Sequence, residues 1–165
     1  MIRFALKVLL VTSVLWSAAS ALAASVAERL VTLDTRPGVS QKFLLLAPAK
    51  PTAAVILFAG GYGSLKLAGS TGQPEVGWGK NNFLVRTRAL FAGHDLLTAV
   101  VDAPSDCQDS DGMSRGFRTS AEHCRDVEAV VGHLKTLSPV PVWLVGTSRG
   151  TESAANCAIR LQGAV

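Results

Sequence analysis

Val140-Pro141-Val142-Trp143-Leu144-Val145-Gly146-Thr147-Ser148-Arg149-Gly150 is the stretch on which the reading of this chain turns. Its first six residues form a short apolar run of the kind that makes a buried strand. It passes without a linker into G-x-S-x-G and a helix predicted from Arg149 to about Gln162, where Ala154, Ala155 and Ala158 allow close approach to a sheet. A serine held at a strand-to-helix turn needs small neighbours, because the turn is sharp and a side chain at either flank would strike backbone. Gly146 and Gly150 supply them, and Ser148 is the candidate nucleophile. A turn in which Ser148 only caps the helix is the competing reading. The strand directly before the motif favours the nucleophile elbow.

Outward from that stretch the chain alternates strand-like and helix-like segments. Val26 to Leu33 and Lys42 to Leu46 flank the turn Asp34-Thr35-Arg36-Pro37-Gly38, which predicts a β-hairpin. Ala53 to Phe58 and Asp95 to Val101 hold apolar runs that read as parallel strands buried on both faces. Asn82 is placed to cap a helix over Phe83 to Ala92, ended by Gly93. Thr119-Ser120-Ala121-Glu122 has capping-box spacing, with the Thr119 hydroxyl and the Glu122 carboxylate as reciprocal caps. Behind it Val127, Val130, Val131, Leu134 and Leu137 recur at helical spacing up to Pro139. The order β-β-β-α-β-α-β-α predicts an α/β fold, a mostly parallel sheet wrapped by helices on both faces.

The N-terminus has the form of an export signal. Arg3 and Lys7 make a positive start, Val8 to Trp16 an apolar centre, and Ser20-Ala21-Leu22-Ala23 a small-x-small cleavage pattern. Residues 1–23 are expected to be removed, leaving 24–165 as an exported domain, periplasmic or secreted, with no membrane attachment after cleavage. The competing reading is an uncleaved anchor over Val8 to Ala27, whose centre Thr12, Ser13, Ser17 and Ser20 dilute. The whole chain has 165 residues, net charge +4, 48% apolar and 17% charged residues and mean hydropathy +0.33. That composition excludes a disordered polymer. Residues 24–165 keep only 14 basic against 12 acidic side chains, and the sequence has one Tyr, so no nucleic-acid partner is expected.

An oxidising compartment makes Cys107, Cys124 and Cys157 candidates for a disulfide. Three leaves one over. The expected pair is Cys107 with Cys124, whose closed loop would contribute about 3 kcal/mol in the chain-entropy model, with Cys157 reduced. No metal site is expected. There is no C-x-x-C, and His94, His123 and His133 are not spaced i, i+4. Asp109-Ser110-Asp111-Gly112 fails as a calcium loop, because Cys107 and Arg118 would fall at its first and last ligand positions.

After the third strand comes Phe58-Ala59-Gly60-Gly61-Tyr62-Gly63. Glycines there let the backbone turn sharply and present N–H groups to a ligand. The phosphate-binding patterns fail at Pro74 and Lys66, so no nucleotide cofactor is expected and an oxyanion hole is the better use of the loop.

Together the hairpin-first order, the strand followed by a glycine loop, and the strand–G-x-S-x-G–helix unit resemble the N-terminal part of an α/β-hydrolase of the exported bacterial esterase-like kind. The resemblance implies Ser148 as nucleophile and the backbone N–H groups of Arg149 and Tyr62 as oxyanion donors, with Gly61 the near neighbour. Gly60 stands where many relatives have His. It also implies an ester or related acyl bond in a small molecule as substrate. The family places its acid and then its histidine after the nucleophile, yet Arg149 to Val165 holds one carboxylate, Glu152, and no histidine. Glu152 lies one helical turn past Ser148, unable to orient a distant imidazole. Upstream, the three histidines read as solvated or capping side chains. Asp102, Asp106, Asp109 and Asp111 read as an acidic loop near the site mouth, with Trp78 lining the same mouth; a solvated loop is the competing reading for both. The expectation is a serine hydrolase lacking the triad acid and histidine in this chain, which alone is inactive. The alternative is a non-catalytic remnant or binding protein with the same fold.

Overall fold

The computed structural model describes residues 26–165, so the expected export signal lies outside the described residues. Seven strands and three helices follow in chain order: β1 (Glu28–Arg36), β2 (Val39–Leu46), β3 (Ala53–Phe58), β4 (Leu67–Ser70), β5 (Gln73–Val76), α1 (Phe83–Gly93), β6 (Leu96–Val101), α2 (Ala121–Leu137), β7 (Val142–Gly146) and α3 (Gly150–Arg160). Five strands make one sheet in the order β1-β2-β6-β3-β7, and β4 and β5 form a separate hairpin. β3 runs parallel to β6 and β7, while the β1–β2 hairpin joins β6 antiparallel. The sheet is therefore mixed, with its parallel part where helices cross over.

Alternation along the strands builds two cores. In β3, Ala54, Ile56 and Phe58 point to the face covered by α2 and α3, and Val55 and Leu57 to the face covered by α1. Burial on both faces is why that strand reads as an unbroken apolar run rather than an alternating one. Val127, Val130, Val131 and Leu134 of α2 are buried against the first face, as their spacing predicts.

Helix starts follow side-chain chemistry. Asn82 caps α1 by accepting from the Leu84 N–H at 3.2 Å. At α2 the cap is Ser120, which accepts from the His123 N–H at 3.1 Å, and not Thr119. A 3-10 turn over Phe117–Thr119 runs up to the helix, so Thr119 is already turned and its hydroxyl donates to the Gly116 carbonyl. Ser120 is the residue with extended backbone, which is what a cap requires.

Two further expectations are corrected. The β4–β5 hairpin goes unseen in sequence because its strands are short, mostly exposed and built from Gly, Ser, Gln and Pro; it is held by docking, the Leu30 N–H donating to the Thr71 carbonyl at 3.1 Å. The disulfide joins Cys124 to Cys157, leaving Cys107 free. α2 and α3 lie side by side on one sheet face, with the two Cα atoms 5.2 Å apart. Cys107 sits instead in a 3-10 turn beside Asp106, its thiol pushed up to about 11 by burial and then by that carboxylate. Among the described residues no helix is long and apolar enough to cross a membrane.

Candidate active site

β3 is the axis of the site. Its last residue pairs with Gly146 on one side and Val101 on the other, so the segments after β3, β6 and β7 emerge together at the carboxyl edge of the sheet. Crevices at that edge, where crossovers leave in opposite directions, are where open α/β sheets take ligands. α1 carries the chain from β3 to β6, and α2 carries it back across β3 to β7.

Ser148 stands at the turn between β7 and α3 with φ +51°, one of three non-glycine residues in the left-handed region among the described residues. That conformation is costly for a residue with a Cβ, by about 1–2 kcal/mol, and persists where surrounding structure imposes it. The flanking glycines impose it. A Cβ on Gly146 would strike the Gly150 carbonyl, and one on Gly150 would strike the Phe58 carbonyl. The elbow is thus pressed against the end of β3, and the hydroxyl is left exposed.

The glycine loop lies directly beside it. A Cβ on Gly60 would stand 3.1 Å from the Ser148 Cβ and 3.5 Å from Asn82 Nδ2. Gly61 has φ +63° and Gly63 φ +78°, so the loop needs the conformational freedom of glycine. Among the described residues no hydrogen bond occupies the N–H of Tyr62 or of Arg149. The Arg149 N–H directly follows the exposed Ser148, and the Tyr62 N–H lies two residues past the Gly60 position that faces it; unused backbone donors are what an oxyanion hole requires.

Residues that sequence reasoning passed over hold this arrangement. Arg118 is 0% exposed and donates to Ser153 Oγ at 2.8 Å, to the Ala59 carbonyl at 2.9 Å and to the Gly61 carbonyl at 3.3 Å. Burial pulls its pKa down to about 10. It sits in the 3-10 turn Phe117–Thr119, too short for periodicity to mark a residue as buried. The Met113 N–H donates to the Tyr62 carbonyl at 2.8 Å, and Arg149 Nη2 to the Ser114 carbonyl at 3.1 Å, so the same segment pins both sides of the site.

Asp102 follows β6, but it is buried, not part of a solvated loop. Its carboxylate accepts from the N–H groups of Leu65 at 2.5 Å, Ala103 at 2.8 Å and Leu67 at 2.9 Å, and so anchors the approach to the β4–β5 hairpin. Asp106 pairs with Arg36, Asp109 turns the chain at Gly112, and Asp111 pairs with Arg115. Trp78 is exposed, with Lys66 Nζ 5.0 Å from its ring centroid. Glu152 faces Arg149 across 3.8 Å at the surface.

No histidine joins Ser148 among the described residues. His123, read from sequence as solvated or capping, is 1% exposed between the rings of Phe58 and Phe117, and neither of its nitrogens has a hydrogen-bond partner. Burial, then Arg118 and Arg36, pull its pKa down to about 4. The reason is helical phase: the third residue of α2 points inward beneath the 3-10 turn. His133 packs edge-on against Phe43, and His94 ends α1.

No protein-family model and no curated protein matches this sequence. Solved structures do match in fold. The PEG-bound complex of a cold-adapted esterase from an Arctic intertidal metagenomic library is 19% identical with a TM-score of 0.57, over 82% of this chain and 56% of that one. DcsB in complex with its substrate analogue is 20% identical with a TM-score of 0.56, over 81% and 41%. The Cif epoxide hydrolase from Acinetobacter nosocomialis is 16% identical with a TM-score of 0.51, over 84% and 36%. The chain thus spans about half of the esterase's length and less of the other two. Its mixed five-stranded sheet, its crossovers and its partial match to these enzymes make it a chain of the α/β-hydrolase fold.

Proposed function

We propose that residues 24–165 form the nucleophile and oxyanion portion of an exported serine hydrolase acting on an ester or related acyl bond of a small molecule. The observation that carries this reading is the left-handed backbone of Ser148 at a strand-to-helix turn, beside a loop with an unused N–H. Ser148 Oγ attacks the acyl carbon, and the carbonyl oxygen, taking up negative charge, is received by the N–H groups of Tyr62 and Arg149. Gly61 shapes the loop, and Gly146 and Gly150 let the elbow close. The proton on Ser148 needs a base. None of the three histidines hydrogen-bonds to the serine, so the base and its orienting acid are assigned to sequence outside this chain. The Cys124–Cys157 bridge supports periplasmic or secreted residence after cleavage at residue 23.

The missing base is also the observation that favours a second reading, a non-catalytic binding protein using the same crevice. One experiment separates them. Residues 24–165 alone should hydrolyse nitrophenyl acetate at a rate near background, and a longer gene product that supplies a late histidine should hydrolyse it in a Ser148-dependent manner. Fluorophosphonate labelling, lost in Ser148→Ala, is the second readout. A longer product that binds acyl ligands without turnover or labelling would establish the binding protein.

A further inference from the structure

We infer that Arg118 is the positioning residue of the oxyanion hole, an inference that rests on the serine-hydrolase reading above. A fully buried guanidinium is costly to desolvate, and among the described residues this one has no carboxylate partner to offset that cost. Its hydrogen bonds go to the two halves of the site. Nη1 donates to Ser153 Oγ, one turn into the helix that begins at the elbow. Nη2 donates to the carbonyls of Ala59 and Gly61, which bracket the Gly60 position facing Ser148. Nη2 also lies only 2.5 Å from where a Cβ on Gly63 would stand, so the loop is wrapped around the guanidinium.

Peptide geometry turns this contact into a function. The Gly61 carbonyl and the Tyr62 N–H belong to one planar trans unit, in which C=O and N–H point in opposite directions. With its oxygen held inward by Arg118, the unit turns the Tyr62 N–H outward, away from the core. A cation on the oxygen also polarises the amide and makes that N–H a stronger donor. The charge adds a positive potential beneath the position where the oxyanion develops, from a group already oriented before reaction. Arg118 touches neither substrate nor reacting atoms. It acts through the loop.

The test compares wild type, Arg118→Met, Arg118→Lys and Ser148→Ala in the full-length protein, with nitrophenyl acetate as probe and active sites counted by fluorophosphonate titration. Per titrated site, Arg118→Met should lower kcat at least tenfold with KM within twofold of wild type, and Arg118→Lys should recover part of the loss. Independently of activity, ¹⁵N relaxation should show the Gly61 and Tyr62 amides falling from rigid values of about 0.85 to below about 0.6 in Arg118→Met. Unchanged kcat per titrated site would mean that Arg118 serves folding only and would overturn the inference. If Arg118→Met does not fold, Arg118→Lys is judged by the same criteria. Should wild type and Ser148→Ala be equally inactive, the hydrolase reading falls, and the relaxation measurement alone decides whether Arg118 orders the loop.

Discussion

Ser148 illustrates a residue whose backbone is worse for stability than its replacement. Its φ of +51° is one that glycine adopts without penalty and alanine does not. Ser148→Gly is therefore expected to raise stability by about 1 kcal/mol while abolishing fluorophosphonate labelling. Ser148→Ala should abolish labelling with stability unchanged. Thermal melts of the two variants check this, and equal melting temperatures would show that the elbow is unstrained. His123 carries a second residue-scale consequence. Its folded pKa of about 4 lies below the unfolded value of 6.5, so between those values the unfolded chain binds the extra proton. Stability contributed by neutral burial is complete above pH 6.5 and is lost as pH falls toward 4, on the order of 3 kcal/mol for a shift of this size. Urea melts from pH 7 to 4 should show that slope, and His123→Phe, which keeps the contacts with Phe58 and Phe117, should flatten it.

At the scale of elements, α2 is where the chain is tied together. Arg36 of β1 reaches Asp126 of α2 through Nε at 2.8 Å and Nη2 at 3.0 Å, and Thr35 Oγ1 donates to the same carboxylate at 2.5 Å. Asp126 is 0% exposed, so its carboxylate oxygens are satisfied by these partners and not by water. Asp126→Ala is expected to cost about 3–5 kcal/mol, the range for leaving a buried partner unpaired, tempered by the hold of Asp106 on Arg36. Equilibrium denaturation measures it. On the opposite side α2 is bridged to α3 by Cys124–Cys157, and Asn156 Nδ2 donates at 3.1 Å to the carbonyls of Arg118 and Ser120. Peptide mapping without reduction should link Cys124 to Cys157. Cys157→Ser should then cost about 4 kcal/mol by loop-closure entropy, whereas Cys107→Ser should leave stability nearly unchanged.

Across the whole molecule the sheet has unequal edges. β1 is flanked by the docked β4–β5 hairpin, while β7 at the other end has no further strand beside it among the described residues, with Trp143 63% exposed on it. Such an edge is a template for pairing with another chain. Residues 24–165 produced alone are expected to associate with rising concentration, and Trp143→Lys should suppress this. Sedimentation velocity over a concentration series distinguishes the cases, and a monomer at all concentrations would show the edge to be protected.

What the amino-acid order determined by itself is what depends on neighbours in the chain. Apolar runs made β3, β6 and β7, spacing made the buried face of α2, Asn82 started α1, and the glycines around Ser148 made the elbow legible, because each effect acts within a few residues. The serine turn and the glycine loop could be located for the same reason. Tertiary structure alone decided the rest. Cys124 meets Cys157 because two helices share a sheet face, a proximity that sequence separation does not encode. Asp102 and His123 are buried because loops fold over them, and β4 and β5 pair because β1 receives them. Arg118 is the clearest case. It is one charged residue in a three-residue 3-10 turn, and its place under the glycine loop exists only once that turn has met the end of β3 and α3.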